Sequence, residues 1–220
     1  MTSLSTASPP RRAICPTCLR PLATCICRWI ARTPFAADLL ILQHPLEVGN
    51  AKGSARLLHL CVPGSTMLTG ETFDEASLSA HLHAGGRRPL LLYPDDAAAP
   101  VPAAPSTPSV PSGPSVPSGP AAGVRLVLLD GTWRKSRKML HLNPVLAALP
   151  RLSLRQMPPS HYRIRKAHAP DQLSSFEAGA YALAALDPGV AAEQPLARLL
   201  DAFDGFVDQQ AGYVAPRATP

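Results

Sequence analysis

The chain has 220 residues, 46% of them hydrophobic, and its 21 Lys and Arg outweigh 15 Asp and Glu to give a formal charge of +6. This is enough chain for one large domain or two small ones with a buried core, and the positive balance favours an acidic partner such as nucleic acid. No apolar run approaches the roughly 18 residues of a membrane span, and the opening "MTSLSTASPPRRA" has no secretory h-region, so a cytoplasmic protein without a membrane partner is expected.

Residues 1–13 are polar and read as loose. The next unit, 14–30, holds four of the five cysteines, Cys15, Cys18, Cys25 and Cys27, in the spacing C-x2-C-x6-C-x-C. Clustered thiols without an export signal point to metal ligation, and closely spaced thiolate pairs can reach one tetrahedral zinc ion. The alternatives are four reduced thiols or a redox role. Four sulfurs leave no open coordination position, so such a zinc is structural. The fifth cysteine, Cys61, reads as a small buried residue.

From residue 35 to 213 apolar runs alternate with helical patterns. "DLLILQHP" (38–45) reads as a buried strand, because its apolar residues run together. "NAKGSARLLHL" (50–60) predicts a helix with Asn50 as N-cap, and "STMLTG" (65–70) a short strand. "DEASLSAHLHAGG" (74–86) predicts a helix closed by glycines, with His81 and His83 on its surface. "PLLLYP" (89–94) is another buried strand. A proline-rich insertion over 97–123 then interrupts the domain. Its centre, residues 100–120, carries eight prolines and no charge, which cannot pack a core. "VRLVLLD" (124–130) restores a strand, followed by a helix from Trp133 to Ala148 and a strand "RLSLR" (151–155). After a polar loop (156–172), helices are predicted over 173–186 and 195–213. Strands alternating with helices imply a mainly parallel sheet with helices on both faces, and ligands in such sheets sit beyond the carboxyl ends of the strands. No G-x-G-x-x-G or P-loop pattern is present.

The junction "VLLDGTWRKSRKML" (127–140) concentrates the chemistry. A buried strand delivers Asp130 to a turn, and a basic helix begins at once. Locally, Asp130 reads either as a helix N-cap or as a carboxylate positioned for proton transfer. Trp133 reads either as a core residue or as an aromatic wall. Arg134, Arg137 and Lys138 fall on one helical face. Tyr162, Arg163, Arg165 and Lys166 form a second cluster, with Tyr162 available for stacking. Either cluster is a solvated face or a phosphate-binding one.

The cysteine cluster, "LILQHPLE", "SARLLHLC", "VLLDGTWRKSRKML" and "PSHYRIRKAHAPDQLSSFEA", in this order, resemble the DTW-domain family, whose D-x-T-W signature matches Asp130-Gly131-Thr132-Trp133. The resemblance covers the chain from Cys15 to about Asp204, apart from the insertion. It implies transfer of a 3-amino-3-carboxypropyl group from S-adenosylmethionine to N3 of a tRNA uridine, which lies in the variable loop for bacterial members, with release of methylthioadenosine. It also implies kinship with SPOUT-type methyltransferases, hence a C-terminal trefoil knot and a donor pocket on the knot loops. Carried over by motif, that pocket involves Leu129, Trp133, Leu154, Leu173, Ser174 and Ser175, with Asp130 catalytic. His161 and Glu177 are implied holders of the donor's tail, and His44 is either a ligand-side donor or a structural histidine. Ser174 and Glu177 also read as a capping box. Both basic clusters then become tRNA contacts, and the protein is expected as a monomer or homodimer. Two rivals remain open: a methyltransferase on the same knot, and a non-enzymatic zinc-bearing RNA-binding module.

Overall fold

The structure, a computed structural model, describes residues 13–94, 123–164, 173–187 and 193–213. The expected loose segment 1–13 and insertion 97–123 therefore lie, but for Ala13 and Gly123, outside the described residues.

Five strands form one sheet: β1 (Asp38–Gln43), β2 (Thr66–Thr69), β3 (Arg88–Leu92), β4 (Val124–Asp130) and β5 (Arg151–Leu152). Their spatial order is β2-β1-β4-β3-β5, and every neighbouring pair is parallel. A parallel sheet needs crossovers, and among the described residues these carry α1 (Ala55–Cys61) between β1 and β2, α2 (Glu75–His83) between β2 and β3, and α3 (Trp133–Leu142) with the single turn α4 (Pro144–Ala147) between β4 and β5. Two helices close the fold, α5 (Ser175–Leu186) and α6 (Glu193–Ala211).

Strand periodicity divides the core in two. Leu39 and Ile41, Leu126 and Leu128, Leu90 and Leu152 point to one face, where they meet Leu57 and Leu58 of α1, Phe176 and Leu183 of α5, and Phe203 and Phe206 of α6. Leu40, Leu42, Leu91, Val127 and Leu129 point to the other, against Leu78 and Leu82 of α2, Met139 and Leu140 of α3, and Leu146 of α4. Burial on both faces explains why these strands read as unbroken apolar runs.

Three expectations are corrected. Asn50 does not cap α1: residues 50–53 form turns, and the N-cap is Ser54, whose hydroxyl instead accepts from the amide of Phe176 on α5 at 3.3 Å. The helix expected over 133–148 breaks at Asn143. That side chain donates to the carbonyls of Met139 (2.7 Å) and Glu71 (2.9 Å) and accepts from the amide of Phe73 (2.9 Å), while Pro144 begins a new turn. The strand expected over 151–155 keeps ladder geometry only at Arg151 and Leu152.

The cysteine unit is docked on the domain. Cys15, Cys18 and Ile26 join the main core, and the Arg20 guanidinium, itself buried, donates to the carbonyls of Ala51 (2.8 Å) and Gly53 (2.7 Å). Arg56 of α1 reaches the carbonyl of Thr17 at 2.7 Å, and Gln209 of α6 accepts from the Trp29 indole and donates to the carbonyl of Cys25. Trp29 lies so close over Gly205 that a Cβ there would come within 2.2 Å of its ring. Gly205→Ala is therefore expected to lower stability by about 1–3 kcal/mol, the usual range for overpacking, as measured by urea unfolding.

Candidate active site

The carboxyl ends of β1, β3, β4 and β5 lie along one edge of the sheet, and the start of α5 returns to that edge. Between them is a cavity of about 240 Å³. Its walls are Leu92, Tyr93 and Pro94 after β3, Leu128, Leu129 and Gly131 at β4, Trp133 and Ser136 of α3, and Leu152 and Leu154 at β5. Gln156 and Met157, then Leu173, Ser174, Ser175 and Ala178 around the start of α5, complete it. All six residues expected to hold a donor (Leu129, Trp133, Leu154, Leu173, Ser174, Ser175) line this one space. No individual sequence signal marks Tyr93, Ser136, Gln156 or Met157 as lining it. Gln156 has a left-handed backbone (φ 55°), an uncommon conformation for a side-chain-bearing residue, here at a cavity wall.

Asp130 ends β4 at the base of the turn. It is not the helix N-cap: Thr132 caps α3, its hydroxyl accepting from the Lys135 amide at 3.4 Å. The Asp130 side chain is buried and does not itself line the cavity. One carboxylate oxygen accepts from the Gln43 amide at 2.9 Å and the other from the Ser175 hydroxyl at 2.7 Å. Gln43 is its partner in register on β1, so two central strands fix this contact. Burial pushes the Asp130 carboxyl above its ordinary range, against the lowering effect of the Gln43 and Ser175 bonds.

Trp133 is 47% exposed, so it is not a core residue. It stands at the cavity rim and meets Tyr93 edge-on, with ring centroids 5.6 Å apart and planes at 77°. Of the basic residues on α3, Lys135 pairs with Glu47 at 2.7 Å and Lys138 with Glu71 at 2.9 Å, anchoring the helix to the loops after β1 and β2. Arg134 and Arg137 are exposed, with no ion pair among the described residues.

The remaining expected contacts lie elsewhere. His44 is buried, its Nδ1 accepts from the Leu46 amide (3.1 Å) and its Nε2 meets Glu71 (2.8 Å), so both ring nitrogens have protein partners. Glu177 is buried and completes the capping box with Ser174. Its carboxylate also accepts from the Ser160 hydroxyl and the His161 amide (2.7 Å), and it is absent from the cavity wall. His161 lies in a separate surface depression with Asp204, 3.0 Å away. Tyr162 is not free to stack on a base: its ring is buried against Phe203 and its hydroxyl donates to the carbonyl of Lys52. Arg163 is exposed and pairs with Asp208 at 2.6 Å. Arg165 and Lys166 lie outside the described residues.

The sulfur atoms of Cys15, Cys18, Cys25 and Cys27 all lie within 4.8 Å of one another, with Cys15–Cys27 at 3.5 Å and Cys18–Cys25 at 3.7 Å. A tetrahedron with metal–sulfur bonds near 2.3 Å has edges of about 3.8 Å, so this set can hold one metal ion. The backbone N–H groups of Cys18 and Thr17 bring the Cys15 thiol down to about 6, while burial and the neighbouring thiols push Cys27 up to about 12, so without a metal the cluster favours one thiolate among protonated partners. Cys61 is fully buried, and burial pushes its thiol up to about 11.

A parallel α/β domain with a cavity at the carboxyl edge of its sheet, walled by an Asp-Gly-Thr-Trp turn and carrying a tetracysteine unit, defines the class. The chain belongs to the DTW-domain family, whose family model matches residues 12–211. It is 30% identical over 206 residues to tRNA-uridine aminocarboxypropyltransferase 2 of Drosophila melanogaster, covering 91% of this chain and 77% of that protein. The Mus musculus protein of the same name is 27% identical over 203 residues, covering 89% of this chain and 64% of the relative. tRNA-uridine aminocarboxypropyltransferase A of Arabidopsis thaliana is 24% identical over 143 residues, covering 62% of this chain and 53% of its own length. No solved structure matches. Among the described residues, no helix is long and apolar enough to cross a membrane.

Proposed function

We propose that this chain is a tRNA-uridine aminocarboxypropyltransferase of the cytoplasm. It transfers the 3-amino-3-carboxypropyl group of S-adenosylmethionine to N3 of a uridine in tRNA, with release of methylthioadenosine. The observation that supports this most is the family's signature turn, Asp130 to Trp133, set against one cavity with the start of α5 as its facing wall.

The donor supplies a sulfonium whose attached carbons are open to displacement, and the carbon that reacts is the one held in line with the nucleophile. The chain's own residues perform the rest. Leu92, Leu128, Leu129, Leu152 and Leu154 offer an apolar bed for an adenosine, and Trp133 an aromatic wall at the rim. Uridine N3 becomes a nucleophile only when it loses its proton, and Asp130 is the buried carboxylate toward which that proton moves. Its raised pKa makes it a stronger base than an exposed aspartate, so transfer should fall as acid protonates it.

The metal is zinc. An all-thiolate tetrahedral set suits it, and with four protein ligands it holds residues 14–30 in the shape that docks on the domain and takes no part in the transfer. The proposed fold is of SPOUT type, with a knot formed where the chain leaves edge strand β5 and returns to the middle of the sheet at Ser175. A crystal structure tracing residues 156–174 tests that threading.

Arg134 and Arg137 are the tRNA phosphate contacts, since they are exposed and have no ion pair among the described residues, whereas Lys135 and Lys138 hold α3 in place. Arg134→Ala and Arg137→Ala are each expected to weaken tRNA binding and to reduce its salt slope by about one. Filter binding across a salt series measures this. The activity is tested by nucleoside mass spectrometry on tRNA from cells with and without the protein. Loss of aminocarboxypropyluridine on deletion is expected, and an unchanged nucleoside profile would contradict it.

A further inference from the structure

We infer that Ser175 is the group that meets the uridine imide, and that Asp130 acts through it while Gln43 keeps Asp130 aimed. The inference rests on the transferase reading above and adds the path of the proton.

The argument is one of hydrogen-bond polarity. Asp130 is buried and absent from the cavity wall, whereas Ser175 lines the cavity. An ionised carboxylate only accepts, so the single hydroxyl proton of Ser175 is committed to Asp130, 2.7 Å away. What Ser175 can then present to the cavity is lone pairs alone. Uridine N3–H is a donor, so the hydroxyl matches it in polarity. Gln43 donates to the other carboxylate oxygen at 2.9 Å, and its backbone is fixed at the end of β1 by pairing with Asp130 and by the bond from the Gly70 amide to its main-chain carbonyl at 3.0 Å, so both carboxylate oxygens are engaged and one faces Ser175. Ser175 is itself fixed as the first residue of α5, behind a complete capping box.

In the proposed step Ser175 Oγ takes the N3 proton while its own proton passes to the facing oxygen of Asp130. The electron pair freed on N3 forms the N–C bond, and the pair of the breaking C–S bond leaves with sulfur as a neutral thioether. Before the step there is one sulfonium and one carboxylate; afterwards there is a neutral thioether and a neutral carboxylic acid, so charge balances. Ser175 is thus the catalytic residue, Asp130 the terminal proton acceptor and Gln43 a positioning residue. The other titratable groups near Asp130 are Glu47 and Lys135, paired to each other, and His44, whose Nε2 lies 2.8 Å from Glu71. None stands between Asp130 and Ser175.

The test is single-turnover transfer to unmodified tRNA at saturating donor across a pH series, with donor affinity measured separately by calorimetry. Ser175→Ala is expected to lose about 100-fold in rate, the low end of general-base effects, with donor affinity within about twofold of the parent. Its acid limb, set by Asp130 in the parent, should flatten. Ser175→Thr keeps the hydroxyl and is expected to restore most of the rate and the limb. Gln43→Met removes a bond that stabilises the ionised carboxylate, so its acid limb should move to higher pH while the rate recovers in alkali. A Ser175→Ala rate within about threefold of the parent would overturn the relay and leave the transferase reading standing. So would a variant whose whole defect is lost donor affinity, and so would an unmoved limb in Gln43→Met. Parent protein that transfers nothing to tRNA would overturn the reading itself, and the relay with it.

Discussion

Asp130→Asn is expected to abolish most transfer, by at least about 100-fold, while the protein stays folded and its stability at neutral pH holds or rises. The two halves of that result have one cause. Asn is nearly isosteric, and it can still accept from Gln43 and meet the Ser175 hydroxyl, but it takes no proton. The carboxylate it replaces is buried, and burial raises its pKa above the ordinary range. Below that range the folded and unfolded states are both protonated and the raised value contributes its full stability. As pH rises from there through the raised folded value, that contribution is lost, because the unfolded chain ionises first. Burying an ionisable carboxylate is therefore a local liability retained for chemistry, and Asn removes it. Urea midpoints of the two proteins should separate across that window, with the parent falling relative to the variant as pH increases. A variant that unfolds at neutral pH would instead make Asp130 a structural group.

The second large effect concerns the tetracysteine unit. Purified protein is expected to carry one zinc per chain, and Cys18→Ser to lose it along with about 4 kcal/mol or more of stability, the scale at which loss of a metal stands out among single substitutions. Its docking contacts on the domain aside, the unit has little internal structure to hold the cysteine loops in shape. Its backbone is tied by a few bonds, such as the Leu19 amide to the Cys15 carbonyl, and Leu19 itself sits in a left-handed conformation (φ 60°). The consequence should extend beyond residues 14–30. Arg20 and Arg56 link the unit to residues 51–53 and to α1, and Lys52 bonds in turn to the carbonyl of Ile164 ahead of α5. Amide exchange is therefore expected to quicken at 51–54 as well as in the unit, while the central strands β1 and β4 keep their protection. Metal analysis and differential scanning calorimetry of the parent and Cys18→Ser measure the first effect, and hydrogen exchange the second.

Much of the sheet was legible because a parallel strand buried on both faces must be apolar at every position, as in "LLIL" and "LVLL". Helix ends were less so. The break at Asn143 was written in the Asn-Pro pair at 143–144, a turn signal outweighed in a simple periodicity count by the apolar positions on either side. Tyr162 misled for a different reason. Its basic neighbours suggest an exposed strip, yet the ring completes an aromatic stack with Phe203 and Phe176 that only the packing of α6 creates. In the candidate site, the Asp-Gly-Thr-Trp turn announced itself. The bonds from Gln43 and Ser175 to Asp130 did not, because they join positions 87 and 45 residues away along the chain. The same limit applied to α3: the sequence displays four basic residues, and only tertiary contacts separate the two engaged by Glu47 and Glu71 from the two exposed arginines.

The most direct test of the account uses purified protein, unmodified tRNA and two preparations of S-adenosylmethionine, one labelled in the aminocarboxypropyl carbons and one in the methyl group. The account predicts that the first label appears on a uridine nucleoside while the second stays with released methylthioadenosine. Methyl label on the tRNA, or neither label there, would contradict it.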